Sequence, residues 1–114
     1  MQVACDRIGD SLIVGPAGRV DESSWKDFDS ELSSAVVRAS RESLRTLVID
    51  LSGIEYMSSR GLRALTAASQ QGRAAGVTIR LAAPNEVMRE ILEISRYDRL
   101  FDIDDTVPRA SGGL

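Results

Sequence analysis

Leu47-Val48-Ile49-Asp50-Leu51-Ser52-Gly53-Ile54-Glu55-Tyr56-Met57-Ser58-Ser59-Arg60-Gly61-Leu62-Arg63-Ala64-Leu65 is the stretch whose reading decides the fold. It opens with five residues, four of them apolar and two β-branched, the pattern of a buried strand. Ser52-Gly53 interrupts that run. From Leu62 the apolar spacing becomes helical, through Leu65 and Ala68 to Gly72. Ser58 and Ser59 therefore stand where a chain leaving a buried strand turns into a helix. Helix N-termini carry unpaired N–H groups and a partial positive charge, which suit a capping hydroxyl and also a phosphate. The plain reading of either serine is a cap, a contribution of about 1 kcal/mol.

The flanking sequence alternates strand and helix. Val3 to Ile8 alternates as a half-buried strand, Gly9-Asp10 is a hairpin turn, and Leu12-Ile13-Val14 begins a second strand. Pro16 cannot donate to a ladder, so a bulge or an edge is expected there. Trp25, Phe28, Leu32, Ala35, Val36 and Ala39 form one apolar helical face, with Ser23 and Ser24 as candidate caps. After the central stretch, Gly76 is a helix stop and Val77 to Leu81 alternates as a strand. Asn85 then caps a third helix with Val87, Met88, Ile91, Leu92 and Ser95 inward, and Leu100, Phe101 and Ile103 dock on the core. The order β-β-α-β-α-β-α predicts an α/β fold with a mixed sheet of four to five strands and helices mainly on one side. Residues 1–107 read as one domain and 108–114 as a mobile Gly/Ser-rich tail.

Composition narrows the function. The 114 residues are 43% hydrophobic but only 4% aromatic, so the core is built of Leu, Ile, Val and Ala. A net charge of −3, from 14 basic and 17 acidic residues without a basic block, argues against general nucleic-acid binding. The chain has no histidine, which removes His-dependent triads and nearly all catalytic zinc sites. The single Cys5 excludes an internal disulfide and reads as an inert core residue of the first strand. No apolar run approaches the roughly 20 residues of a membrane span, and no signal peptide is evident, so a cytoplasmic protein without a membrane partner is expected. Asp21, Asp50 and Glu55 are candidates for an acidic site, with Asp21 and Asp50 both near expected strand ends, and turn capping is the favoured reading. Asp102, Asp104 and Asp105 lack the glycine and terminal glutamate of a calcium loop and read as a solvated turn. No cofactor, metal or enzymatic activity is expected.

Asp50-Leu51-Ser52-Gly53-Ile54-x-Tyr56-Met57-x-Ser59-x-Gly61-Leu62 resembles the central motif of STAS domains, in particular the single-domain anti-sigma factor antagonists. Gly18-Arg19-Val20-Asp21 resembles that family's Gly-x-(Leu/Val)-Asp before its first helix, Gly76-Val77-x-Ile79-x-Leu81 its fourth strand, and Ile94 to Ile103 its closing segment. The resemblance implies a STAS fold and a partner switch. The unmodified protein would bind a serine kinase of the histidine-kinase-like ATP fold that otherwise holds a sigma factor or another target. That kinase would phosphorylate one serine at the start of the second helix, and a metal-dependent serine phosphatase would reverse it. The Gly61-Leu62 frame puts the phosphoacceptor on Ser59, with Ser58 as rival. Asp21, Met57, Ser58, Arg60, Leu62 and Arg63 would contact the partner, and the protein would be a monomer or weak dimer. Two positions depart from the family pattern: Ser58 stands where an acid is usual, and Arg60 where a small residue is common. A STAS subunit of an ABC-type transport complex, without phosphorylation, is the alternative.

Overall fold

A computed structural model of the chain describes residues 1–108; of the expected tail over 108–114, all but Pro108 lies outside the described residues. Two strands, β1 (Gln2–Ile8) and β2 (Ser11–Val20), form an antiparallel hairpin. Helix α1 (Trp25–Arg41) follows, then β3 (Thr46–Asp50), β4 (Ile54–Met57), α2 (Ser59–Ala75), β5 (Thr78–Ala82), α3 (Glu86–Ile94), a 3-10 turn (Tyr97–Arg99) and a two-residue β6 (Ile103–Asp104). The sheet order is β1-β2-β3-β5-β6, with all pairings parallel except the first hairpin. The mixed α/β architecture is the expected one. The sheet has six strands where four or five were expected, because β4 and the short β6 also join it.

β4 is the element that periodicity did not reveal. Its four residues, Ile54-Glu55-Tyr56-Met57, do not alternate cleanly, and the Ser52-Gly53 break hides that the strand direction resumes. β3 pairs with Ser11–Val14 of β2, and β4 pairs parallel with Gly18–Val20. The link of three residues is too short to cross β2, so both strands lie on its same edge. The Gly18 N–H donates to the Gly53 carbonyl at 2.9 Å and holds the link against β2. Pro16 falls in the gap between these two ladders. The register irregularity lies at Gly18/Arg19, with Gly18 at φ 115°.

All three helices bury their apolar stripes in one continuous core on one sheet face. Phe28, Leu32 and Val36 come from α1, Leu62, Leu65 and Ala68 from α2, and Met88 and Leu92 from α3. The opposite face carries a small cluster of Ile13, Val48 and Ala82, flanked by Ile8 and Val107. Asn85 caps α3 by accepting from the Met88 N–H at 2.8 Å, while its amide donates to the Ile54 carbonyl at 2.9 Å, tying α3 to the start of β4. Gly76 ends α2 in the left-handed conformation at φ 77°. Among the described residues no helix is long and apolar enough to cross a membrane.

Three expectations change. Cys5 is exposed, because β1 is an edge strand, and its Sγ lies 3.0 Å from an Arg38 guanidinium nitrogen. Val87 and Leu100 are exposed as well, so α3 and the segment after it bury narrower stripes than their composition allows. Ser24 is the N-cap residue of α1 as expected, but neither it nor Ser23 caps the helix with a side-chain hydrogen bond. The acidic turn near the C-terminus is largely solvent-exposed as expected, and its carboxylates are also ion-paired: Arg80 bridges Asp102 and Asp104, and Arg89 reaches Asp105.

Helix α2 sits close on the sheet because Gly61 has no side chain. A Cβ there would lie 2.7 Å from Val20 Cγ1 and press into the Met57 side chain. Overpacking of this kind costs about 1–3 kcal/mol, against roughly 1 kcal/mol gained from helix propensity. Gly61→Ala should therefore lower the urea unfolding midpoint without changing the slope of the transition.

Candidate functional site

β2 and β4 end side by side. Val20 is the register partner of Met57, and the Ser58 N–H donates to the Val20 carbonyl at 2.8 Å. The turn leading into α1 and the first turn of α2 therefore meet at one end of the sheet. Leaving β2, the chain folds around Asp21. Its Oδ1 accepts from the Ser23 hydroxyl at 2.8 Å, the Ser23 N–H at 3.0 Å and the Ser24 hydroxyl at 3.2 Å. The Ser24 hydroxyl also donates to the Arg19 carbonyl at 2.6 Å. These donors, the Ser23 hydroxyl foremost and its N–H next, hold the Asp21 carboxyl below the usual 3.8. In the turn after β3, the Asp50 carboxylate accepts from the Ser52 N–H at 2.9 Å. Both carboxylates have the turn-capping geometry favoured for them.

The two serines have different environments. Ser58 is the N-cap of α2, in extended backbone conformation, with Oγ accepting from the Gly61 N–H at 3.4 Å. It is half-buried. Ser59 is the first helical residue and is exposed. Among the described residues its hydroxyl makes no hydrogen bond, and the first turn of α2 contains no acidic side chain to offset the positive end of the helix. The position can accept a group with negative charge from solvent.

The other expected contact residues divide by exposure. Arg60 and Arg63 are exposed. Met57 and Leu62 are packed in the core, at 2% and 9% exposure, so they set the height of α2 on the sheet and present little surface. Trp25, read from the sequence as part of the α1 apolar face, and Glu22 join the site. The Arg60 guanidinium lies over the half-exposed Trp25 ring, 5.1 Å from its centroid, and 3.5 Å from the Glu22 carboxylate. Arg19 lies over Tyr56 at 4.8 Å. No sequence signal marked the first contact: Glu22 and Trp25 come shortly after Asp21, but only the β2–β4 pairing brings that segment against the start of α2.

The model of the STAS domain matches residues 2–110. The chain belongs to the STAS domain family. BtrV of Bordetella bronchiseptica, named as an anti-sigma factor antagonist, is 28% identical over 114 residues, covering 100% of this chain and 95% of that protein. An anti-sigma factor antagonist from Mycobacterium paratuberculosis has the same fold, with a TM-score of 0.79 at 21% identity over 93% of this chain and 86% of that one. The Bacillus cell fate determinant SpoIIAA in its phosphorylated form also shares it, with a TM-score of 0.62 at 14% identity over 90% of each chain.

In this STAS domain the Asp21 turn carries a pH signature. A depressed folded-state pKa gives stability that is present above the unfolded value and lost as pH falls through the folded one. Denaturation midpoints followed from neutral pH to below 3.8 should fall less steeply on the acid limb for Asp21→Asn than for the parent chain.

Proposed function

We propose that this STAS domain protein is an anti-sigma factor antagonist whose binding is switched off by phosphorylation of Ser59. The observation that carries the reading is the division of roles between the two serines. Ser58 is engaged as the helix cap, and Ser59 offers an exposed, unbonded hydroxyl at the first position of α2. The family frame given by Gly61-Leu62 falls on the same residue. The partner is a serine kinase of the histidine-kinase-like ATP fold that sequesters a sigma factor or another target. A metal-dependent serine phosphatase resets the switch. The contact surface comprises Asp21, Ser58, Ser59, Arg60 and Arg63, with Met57 and Leu62 supporting it from below.

The physics of the site favours a switch in binding over a switch in fold. A phosphate adds about −1.5 to −2 charges and three strong acceptors. At a helix N-terminus that charge stabilises by about 0.3–1 kcal/mol, so α2 tolerates it. At a packed interface the same group disrupts buried polar contacts at a cost of roughly 2–5 kcal/mol, about a 30- to several-thousand-fold loss of affinity. The unmodified surface binds, and the modified one is rejected.

Phosphosite mapping by mass spectrometry tests the assignment. With the candidate kinase and ATP, the parent chain and Ser58→Ala should each gain one phosphate, and Ser59→Ala none. Loss of the phosphate only in Ser58→Ala would contradict the site, and no phosphate on any of the three would contradict the switch.

A further inference from the structure

Arg63 lies four residues after Ser59 on α2. At 3.6 residues per turn, positions i and i+4 share a face, one above the other. Both residues are exposed, and among the described residues Arg63 makes no ion pair. Arg60, although adjacent to Ser59 in sequence, stands about 100° further round the helix. Its guanidinium is held by the Trp25 ring and the Glu22 carboxylate. The two arginines line a shallow groove between α1 and α2 together with Trp25, Asp29, Ala64 and Ala67.

The geometry points to Arg63 as the intramolecular counter-ion that a phosphate on Ser59 captures, withdrawing the free guanidinium from the α1–α2 groove. The inference rests on Ser59 being the residue modified. An acid placed N-terminal to a base at i,i+4 is the favourable order for a helical pair. Guanidinium also matches phosphate oxygens in bidentate geometry. Neighbouring i,i+1 side chains do not face each other, which together with the hold of Trp25 and Glu22 leaves Arg60 where it is. In the unmodified protein Arg63 is available to an acidic group of a partner seated in the groove. In the modified protein that charge is neutralised within the helix. The modification then acts in two ways: it adds an anion at the rim, and it removes the cation that an acidic partner group would meet.

The test uses the full chain with phosphoserine installed at position 59 during synthesis, so no kinase is needed. The second ionisation of the phosphate is followed by phosphorus NMR at low ionic strength. A nearby guanidinium favours the dianion and lowers the midpoint. Arg63→Gln should raise it by about 0.2–0.4 pH unit, the equivalent of one i,i+4 ion pair. Arg63→Lys should recover part of the shift, and high salt should close the gap. Equal midpoints in the parent and Arg63→Gln would overturn the proposal. A shift as large in Arg60→Gln would overturn it too, since a diffuse positive field would then explain both. A kinase that leaves Ser59 unmodified would defeat the functional reading without touching this titration.

Discussion

One edge of β2 serves two strands in succession, and the site depends on that arrangement. Its first residues pair with β3 and its last with β4, with Gly18 hydrogen-bonded to Gly53 across the break between them. Were β3 to run straight into α2, the helix would start near Ser52, beside the middle of β2. The extra four residues of β4 carry it to the end of β2 instead. There the Ser58 N–H meets the Val20 carbonyl, and the first turn of α2 stands beside the Asp21 turn. Gly61 completes the placement by letting the helix backbone approach Val20 and Met57 more closely than any side chain would permit.

That placement separates support from signal. The groups that fix the geometry are buried or internally hydrogen-bonded: Met57 and Leu62 in the core, Asp21 in its own turn, Ser58 on the Gly61 N–H. The groups left facing solvent are Ser59, Arg60 and Arg63. A charge added at Ser59 therefore meets a helix N-terminus and the exposed Arg63 one turn on, without displacing anything that holds the fold. The departure from the family pattern at Ser58 fits this division, since a hydroxyl caps the helix where an acid is usual. The departure at Arg60 ties α2 to α1 through Trp25 and Glu22.

Most of the architecture was legible because the elements are long and strongly periodic. The α1 stripe from Phe28 to Ala39, the α2 stripe from Leu62 to Gly72, the Asn85 cap and the Gly76 stop all read directly. What escaped was decided by tertiary context. Ile54–Met57 is too short to show a period, and only its pairing with β2 makes it a strand. Cys5 looks like core by composition, but an edge strand leaves it uncovered. Val87 and Leu100 look inward by type, yet the core is already filled by Met88, Leu92 and Phe101. At the site, the two serines and two arginines were visible from sequence. The burial of Met57 and Leu62 was not, nor was the Trp25 contact, since each depends on how α2 lies against β2 and α1.

On this reading, modification of Ser59 changes the surface and leaves the fold intact. Affinity for the kinase partner and thermal unfolding, measured on the same two samples of unmodified and Ser59-phosphorylated chain, address it most directly. At least about a 30-fold loss of affinity is expected, with little change in melting temperature. Equal affinities, or a loss accompanied by a melting temperature lowered by many degrees, would contradict it.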